Sequence, residues 1–131
     1  MRSTDHDIAI VGTGCFLPGA KTMAEFWSLL NEARAQFREM PESRFVKAAY
    51  VSGDATQVDR VSHRLAAYID DSDYAQAAHS NGLDNSIFNR LQVMAVESTR
   101  QALASLKISV AERNTAVILG CGWLDEQSIL V

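Results

Sequence analysis

The stretch Asp7-Ile8-Ala9-Ile10-Val11-Gly12-Thr13-Gly14-Cys15-Phe16-Leu17-Pro18-Gly19-Ala20 holds the residues on which the fold of this chain turns. Residues 8–11 are apolar without alternation, the pattern of a strand covered on both faces, as in a parallel sheet flanked by helices. Gly12-Thr13-Gly14 ends the run, and Pro18-Gly19 marks a turn. The pattern recurs near the other end. After a polar turn at Arg113-Asn114, Thr115-Ala116-Val117-Ile118-Leu119 is again continuously apolar and stops at Gly120. The two runs predict strands over residues 8–11 and 116–119, parallel neighbours or near-neighbours in one sheet.

Helices are expected between them. Thr22-Met23-Ala24-Glu25 is a capping-box pattern, in which the Thr22 hydroxyl accepts from the amide of residue 25 and Glu25 reaches back. Behind it Met23, Phe26, Trp27, Leu30 and Ala33 fall on one face at helical spacing and read as a core stripe. Pro41 limits any extension of that helix. A second helix is predicted over residues 86–106. Ile87, Leu91, Met94, Ala95, Ser98, Ala102 and Leu106 form its stripe, with Phe88, Val93, Val96 and Leu103 adding apolar surface elsewhere. A helix apolar on several sides is one to be buried, here against the sheet. Residues 42–82 show only weak periodicity and read as a long loop with short helical or extended pieces. The order is strand, helix, excursion, long helix, strand: an α/β chain whose two strands do not complete a sheet.

Composition narrows the function classes. The chain has 131 residues, 47% hydrophobic and 21% charged, with a formal net charge of −4. That suits one domain. A mildly acidic chain without a basic stripe has no electrostatic reason to bind nucleic acid or an anionic membrane surface. No run approaches the ~20 apolar residues that span a bilayer. The opening Met1-Arg2-Ser3-Thr4-Asp5-His6-Asp7 is too acidic for a signal peptide. Cys15 and Cys121 lack metal-ligand spacing and read as reduced thiols of a cytoplasmic protein.

Several segments add up in order. The opening stretch matches the pattern I-A-I-V-G-x-G-C-x-x-P-G; Glu25-Phe26-Trp27-Ser28-Leu29-Leu30 matches E-F-W-x-L-L; and Met40-Pro41-Glu42-Ser43-Arg44-Phe45 matches V-P-x-x-R-[WF]. Tyr68-Ile69-Asp70-Asp71-Ser72-Asp73-Tyr74 is similar to G-F-L-D-D-V-D-x-F. The helix from Asn89-Arg90-Leu91-Gln92 through Gln101-Ala102-Leu103 and the run Val117-Ile118-Leu119-Gly120 follow where expected. In this order the segments resemble the N-terminal region of β-ketoacyl synthases, especially the ketosynthases of modular polyketide and polyunsaturated fatty acid synthases. The departures concern subfamily: Ala66-Ala67 stands for paired glycines before Tyr68, and M-D-P-Q-Q-R is replaced by Phe88-Asn89-Arg90-Leu91-Gln92-Val93, closer to discrete type II enzymes. The stretch from Tyr74 to Leu83 is also shorter.

The resemblance implies a thiolase-like layered fold, with a parallel-strand core and flanking helices, of which residues 1–131 are the incomplete N-terminal part. It implies an acyltransferase parent that performs decarboxylative Claisen condensation in fatty acid or polyketide assembly. Its partner would be acyl carrier protein, the complete domain would be a homodimer, and no cofactor or metal is implied. The family's chemistry needs a cysteine nucleophile at a buried helix N-terminus and two histidines, or a histidine and its substitute, that stabilise the developing enolate and thioester oxygens. In family order all of these follow the second core strand, and the nucleophile sits in a motif like D-T-A-C-S-S that is not found here. The chain is therefore expected to end before its catalytic cysteine and to be non-catalytic by itself, with no catalytic, cofactor or metal residue assigned.

The remaining candidates read accordingly. Cys15 is a packing residue of the first turn, and Cys121 lies at a strand end. His6, His63 and His79 precede the missing nucleophile and read as loop or surface residues. Asp70, Asp71 and Asp73 read as a solvated turn rather than a cation site, which needs several converging oxygens. Gly12, Gly14 and Gly19 are misplaced for a dinucleotide fingerprint, and no acidic residue ends a second strand about 20 residues on. Two rival classes are a stand-alone binding or scaffold module derived from a ketosynthase, and an unrelated nucleotide-binding α/β domain.

Overall fold

The computed structural model describes residues 8–39, 41–44, 48, 51–54, 56–62, 64–84, 86–104, 106 and 115–120. The chain divides into two compact units, Leu17–Asp71 and Met1–Phe16 with Ser72–Val131.

In the Leu17–Asp71 unit, Leu17 N–H donates to the Ala20 carbonyl at 2.8 Å and Ala20 N–H returns to Leu17 at 3.0 Å. These bonds close the expected turn over Pro18-Gly19. Helix α1 (Met23–Asn31) then starts on the expected capping box. Glu25 N–H donates to Thr22 Oγ1 at 3.3 Å, and Thr22 N–H donates to Glu25 Oε2 at 3.1 Å. The helix ends well before Pro41. Arg34 N–H reaches back to the Leu29 carbonyl at 3.1 Å and Ala33 N–H to Leu30 at 3.2 Å, with Ala33 at φ 50°. This is a Schellman closure with alanine in the position where glycine is usual.

The apolar stripe of α1 is corrected by the structure. Leu29 is the buried residue, Phe26 is half-buried, and Met23, Leu30 and Trp27 face solvent, Trp27 at 64% exposure. Spacing identifies an apolar face but not what covers it, and no described residue covers this one. Beyond α1, β1 (Phe37–Glu39) and β2 (Leu65–Ala67) form an antiparallel ribbon with Phe37 opposite Ala67, Arg38 opposite Ala66 and Glu39 opposite Leu65.

The other unit is built on two helices. Helix α2 (Asp71–Ser80) starts at the last residue of the first unit and buries Ala77 and Ala78. Its end is a second Schellman turn: Leu83 N–H donates to Ala78 at 2.9 Å and Gly82 N–H to His79 at 3.1 Å. Gly82 sits at φ 66°, a conformation that side-chain-bearing residues seldom take. Helix α3 (Arg90–Ala104) begins later than residue 86 because Asn89 caps it. Gln92 N–H donates to Asn89 Oδ1 at 2.9 Å while Asn89 N–H donates to Gln92 Oε1 at 3.0 Å, reciprocal capping of the same kind as in α1. Val93, at 2% exposure, is the centre of the buried face. Met94, Ala95, Ser98 and Ala102 are half-buried, whereas Leu91, Val96 and Leu103 remain partly exposed.

The predicted parallel pair is not formed. Residues 8–11 and 115–119 lie in no strand, and Ile8 is 97% and Ile118 90% exposed. A parallel ladder between runs so far apart in sequence needs neighbouring strands and a helix layer on each face. Among the described residues neither cover is present. The chain mixes helix and strand, in keeping with the α/β class, but its one named sheet among the described residues is antiparallel. No described helix is long and apolar enough to cross a membrane.

Candidate functional site

The glycine turn of residues 12–14 seats on helix α3. A Cβ added at Gly14 would lie 2.1 Å from the Ser98 carbonyl oxygen, 2.8 Å from Gln101 Cβ and 2.9 Å from Ala102 N. Only the absence of a side chain permits that approach. The backbone access that a dinucleotide fingerprint reserves for a pyrophosphate is here taken by a helix. Cys15 follows, buried, with its N–H donating to Gln101 Oε1 at 3.2 Å. Phe16 is also buried and meets Tyr74 edge-on, ring centroids 5.6 Å apart at 79°. Tyr74 in turn donates its hydroxyl to Met94 Sδ at 3.4 Å, and the Arg90 guanidinium lies 5.8 Å from the Tyr74 ring centroid.

Gln101 links this turn to a buried carboxylate. Glu97 is on the inner face of α3, in line with Val93, and both its oxygens are satisfied. Oε1 accepts from Arg100 Nη2 at 2.6 Å and Gln101 Nε2 at 2.9 Å; Oε2 accepts from Arg100 Nε at 2.9 Å and Asn81 Nδ2 at 2.7 Å. The Arg100 hydrogen bonds lead in lowering its pKa from 4.5 to about 2; burial opposes them, and Gln101 and Asn81 add to the lowering. Asn81 also donates to the Ala77 carbonyl at 2.7 Å. One polar network therefore ties the opening turn, the end of α2 and the middle of α3. A fully satisfied buried carboxylate rigidifies its surroundings and offers no spare lone pair for proton transfer. Beside it Ala95, Val96, Leu103, Val117 and Leu119 border an open apolar groove of about 680 Å³.

A second cluster organises the Leu17–Asp71 unit. Arg44 donates to Asp71 Oδ1 from Nη2 at 2.9 Å and Nε at 3.3 Å, and its Nη2 also bonds the Ile69 carbonyl. Its guanidinium lies 5.6 Å from the Tyr68 ring centroid. Ser43 Oγ donates to the other Asp71 oxygen at 3.0 Å. Arg38 Nη2 donates to the Tyr68 carbonyl at 2.9 Å and Asp70 Oδ1 at 2.5 Å. Two arginines thus clamp the segment 68–71 through one oxygen each of Asp70 and Asp71, whose side chains remain about half exposed. Asp73 is half-buried in the first turn of α2. Among the described residues no three acidic, histidine or cysteine side chains are grouped to hold a metal. His79 is exposed in the last turn of α2, whereas His6, His63 and Cys121 lie outside the described residues.

Sequence reasoning missed the Glu97 network. Its signal was a charged residue inside an apolar helical stripe, with Arg100 and Gln101 one turn on, a pattern that in a buried face marks a satisfied polar node.

Comparison with known proteins bears on both clusters. The family model described as "Beta-ketoacyl synthase, N-terminal domain" matches residues 5–130. The highly reducing polyketide synthase Preu1 of Preussia isomera is 30% identical over 133 aligned positions, covering 96% of this chain and 6% of that protein. The non-reducing polyketide synthase pkbA of Emericella nidulans is 50% identical over 42 residues, 32% of this chain and 2% of that protein. The polyketide synthase PksL of Bacillus subtilis is 34% identical over 59 residues, 44% of this chain and 1% of that protein. The chain spans only a few per cent of the length of these curated relatives.

Proposed function

This chain belongs to the β-ketoacyl synthase N-terminal domain family, and from that premise we propose that it is the scaffold-forming first part of a ketosynthase in polyketide assembly. The complete domain would be a cytoplasmic homodimer with a thiolase-like layered core. It would take an acyl group from acyl carrier protein onto a cysteine, then condense it with the carbanion released when a malonyl-carrier loses carbon dioxide. The similar proteins are named as polyketide synthases, which supports polyketide over fatty acid assembly.

The observation that carries this reading is the Arg44 clamp. Met40-Pro41-Glu42-Ser43-Arg44-Phe45 and Tyr68-Ile69-Asp70-Asp71 resemble separate ketosynthase motifs, and the structure joins them through Arg44, Asp71 and Ser43. Motif residues that lock one another are framework. The exposed Met23, Trp27 and Leu30 of α1 and the partly exposed Leu91, Val96 and Leu103 of α3 support the same view, since they are surfaces that further layers of a domain would bury. The nucleophile has no counterpart in these 131 residues, which contain no segment like D-T-A-C-S-S.

The experiment is a condensation assay with acyl- and malonyl-loaded carrier protein. Residues 1–131 are expected to give no ketoacyl product above background, and a longer polypeptide that adds a D-T-A-C-S-S-like segment together with the later histidines is expected to give it. Product from the short chain that disappears with Cys121→Ala overturns the scaffold assignment.

A further inference from the structure

The turn that ends α2 carries Asn81-Gly82, and its geometry points to Asn81 as a deamidation site that the fold holds closed and cannot rebuild once converted. The reaction needs only water. The Gly82 backbone nitrogen, after loss of its proton, attacks Asn81 Cγ; a C–N bond forms and the side-chain nitrogen leaves as ammonia. Water then opens the succinimide at either carbonyl, leaving aspartate or isoaspartate, with no change of oxidation state. A following glycine is the residue that least obstructs the attack, because no Cβ shields the nitrogen. The other asparagines, Asn31, Asn85, Asn89 and Asn114, precede Glu32, Ser86, Arg90 and Thr115, each with a side chain.

In the fold both reacting groups are engaged. The Gly82 N–H donates to the His79 carbonyl at 3.1 Å. The leaving amide nitrogen donates to the Ala77 carbonyl at 2.7 Å and to Glu97 Oε2 at 2.7 Å. The Asn81 N–H is shared between the Ala77 and Ala78 carbonyls, both at 3.1 Å, and the Leu83 N–H closes the turn on Ala78 at 2.9 Å. Cyclisation has to break the Gly82 bond and swing the side chain away from both acceptors. The site therefore reacts on opening of the turn, not within it.

The products do not fit the place they leave. Aspartate at 81 puts carboxylate oxygens where an amide N–H₂ faced the Ala77 carbonyl and the Glu97 carboxylate, so two donors become acceptors against acceptors. Isoaspartate lengthens the main chain by one atom between residues 81 and 82, and the bonds from Gly82 and Leu83 lose their register. Either product breaks the node through which α2 is held to α3. Deamidation at Asn81 thus records the time the turn has spent open and prevents its return.

The test is peptide mapping by mass spectrometry after incubation of the whole chain at mildly alkaline pH, folded and in urea. Conversion at Asn81 is expected to be roughly ten-fold or more slower in the folded chain, and to outpace the other asparagines in urea. Asn81→Asp, made directly, is expected to melt below wild type. Asn81→Asp with Glu97→Gln is expected to recover part of the loss, because the glutamine amide can donate to the new carboxylate. Equal rates folded and unfolded, or an Asn81→Asp chain that melts with wild type, overturns the inference.

Discussion

Replacing Gly14 by alanine tests the seat of the opening turn on helix α3. The new Cβ would meet the Ser98 carbonyl oxygen at 2.1 Å and Ala102 N at 2.9 Å, both backbone atoms, so no side-chain rotation relieves the overlap. Either the turn or the helix has to move. Overpacking of this kind costs about 1–3 kcal/mol. Movement of the turn also endangers the bond from Cys15 N–H to Gln101, worth about 0.5–1.5 kcal/mol. Against these stands the reduced freedom of the unfolded chain, about 0.4–1 kcal/mol in favour of alanine. The net loss is about 2 kcal/mol, which in a chain of this size lowers Tm by roughly 6–10 °C. The assay is thermal and urea unfolding followed by circular dichroism, with Gly53→Ala as the control, because a Cβ there meets nothing within 4 Å. The control is expected to stay within about 0.5 kcal/mol of wild type. Adding Gln101→Ala to Gly14→Ala should not rescue it, since the nearest obstacle is Ser98 backbone. Equal unfolding of Gly14→Ala and the control would show that the turn does not seat on α3.

Further perturbations follow from the side-chain networks and caps. Arg44→Lys is expected to cost about 1–2 kcal/mol in urea unfolding, because the Arg44 side chain is 8% exposed and lysine loses both the fork to Asp71 and the stacking on Tyr68. Arg38→Lys, whose pair with Asp70 is about half exposed on both sides, is expected to cost under ~1 kcal/mol; equal losses would refute the ranking. Glu97 has its folded pKa depressed from 4.5 to about 2, so its contribution is complete above 4.5 and disappears as pH falls towards 2. Urea midpoints between pH 6 and pH 2.5 should fall by an amount worth up to about 3 kcal/mol, and Glu97→Gln should flatten that slope. Ala33→Gly should stabilise by about 0.5–1 kcal/mol, since Ala33 sits at φ 50° in a position glycine occupies without strain; a lower melting temperature would contradict the assignment of that turn.

Where the structure agrees with the sequence, the signal is local. Thr22 and Glu25 are one helical turn apart, so the bonds that start α1 could be read from spacing alone. Asn89 and Gln92 carry the same signal, and reading them as a cap moves the start of α3 from residue 86 to its observed place. Helix α2 escaped notice because its buried residues, Ala77 and Ala78, are too small to draw an apolar stripe. The ribbon of β1 and β2 escaped for a different reason. Its strands are three residues each, and Arg38, Asp70, Arg44 and Asp71, which clamp the segment after β2, are brought together from distant positions. Arg44 and both aspartates lie within segments that resemble family motifs, but sequence order alone does not pair them.

The two continuous apolar runs and the buried glutamate show where local reading stops. A run such as Ile8-Ala9-Ile10-Val11 states that its side chains favour burial; it does not contain the strands and helices that would bury it, and here those four residues lie outside any ladder. Gly14 belongs with the same problem. From sequence it could free a turn, admit a phosphate or admit a helix, and the choice depends on Ser98, far along the chain. Glu97 is the intermediate case. Arg100 and Gln101 lie on its own helix at one-turn spacing, so three of the four hydrogen bonds that keep it ionised are legible from the helix alone. Asn81 was not, because it arrives from the Schellman turn of a helix that alanines conceal. Two of the long-range contacts, Gly14 with Ser98 and Arg44 with Asp71, also join segments resembling ketosynthase motifs. A match to those motifs in order therefore carries tertiary information that no single helix or strand pattern contains.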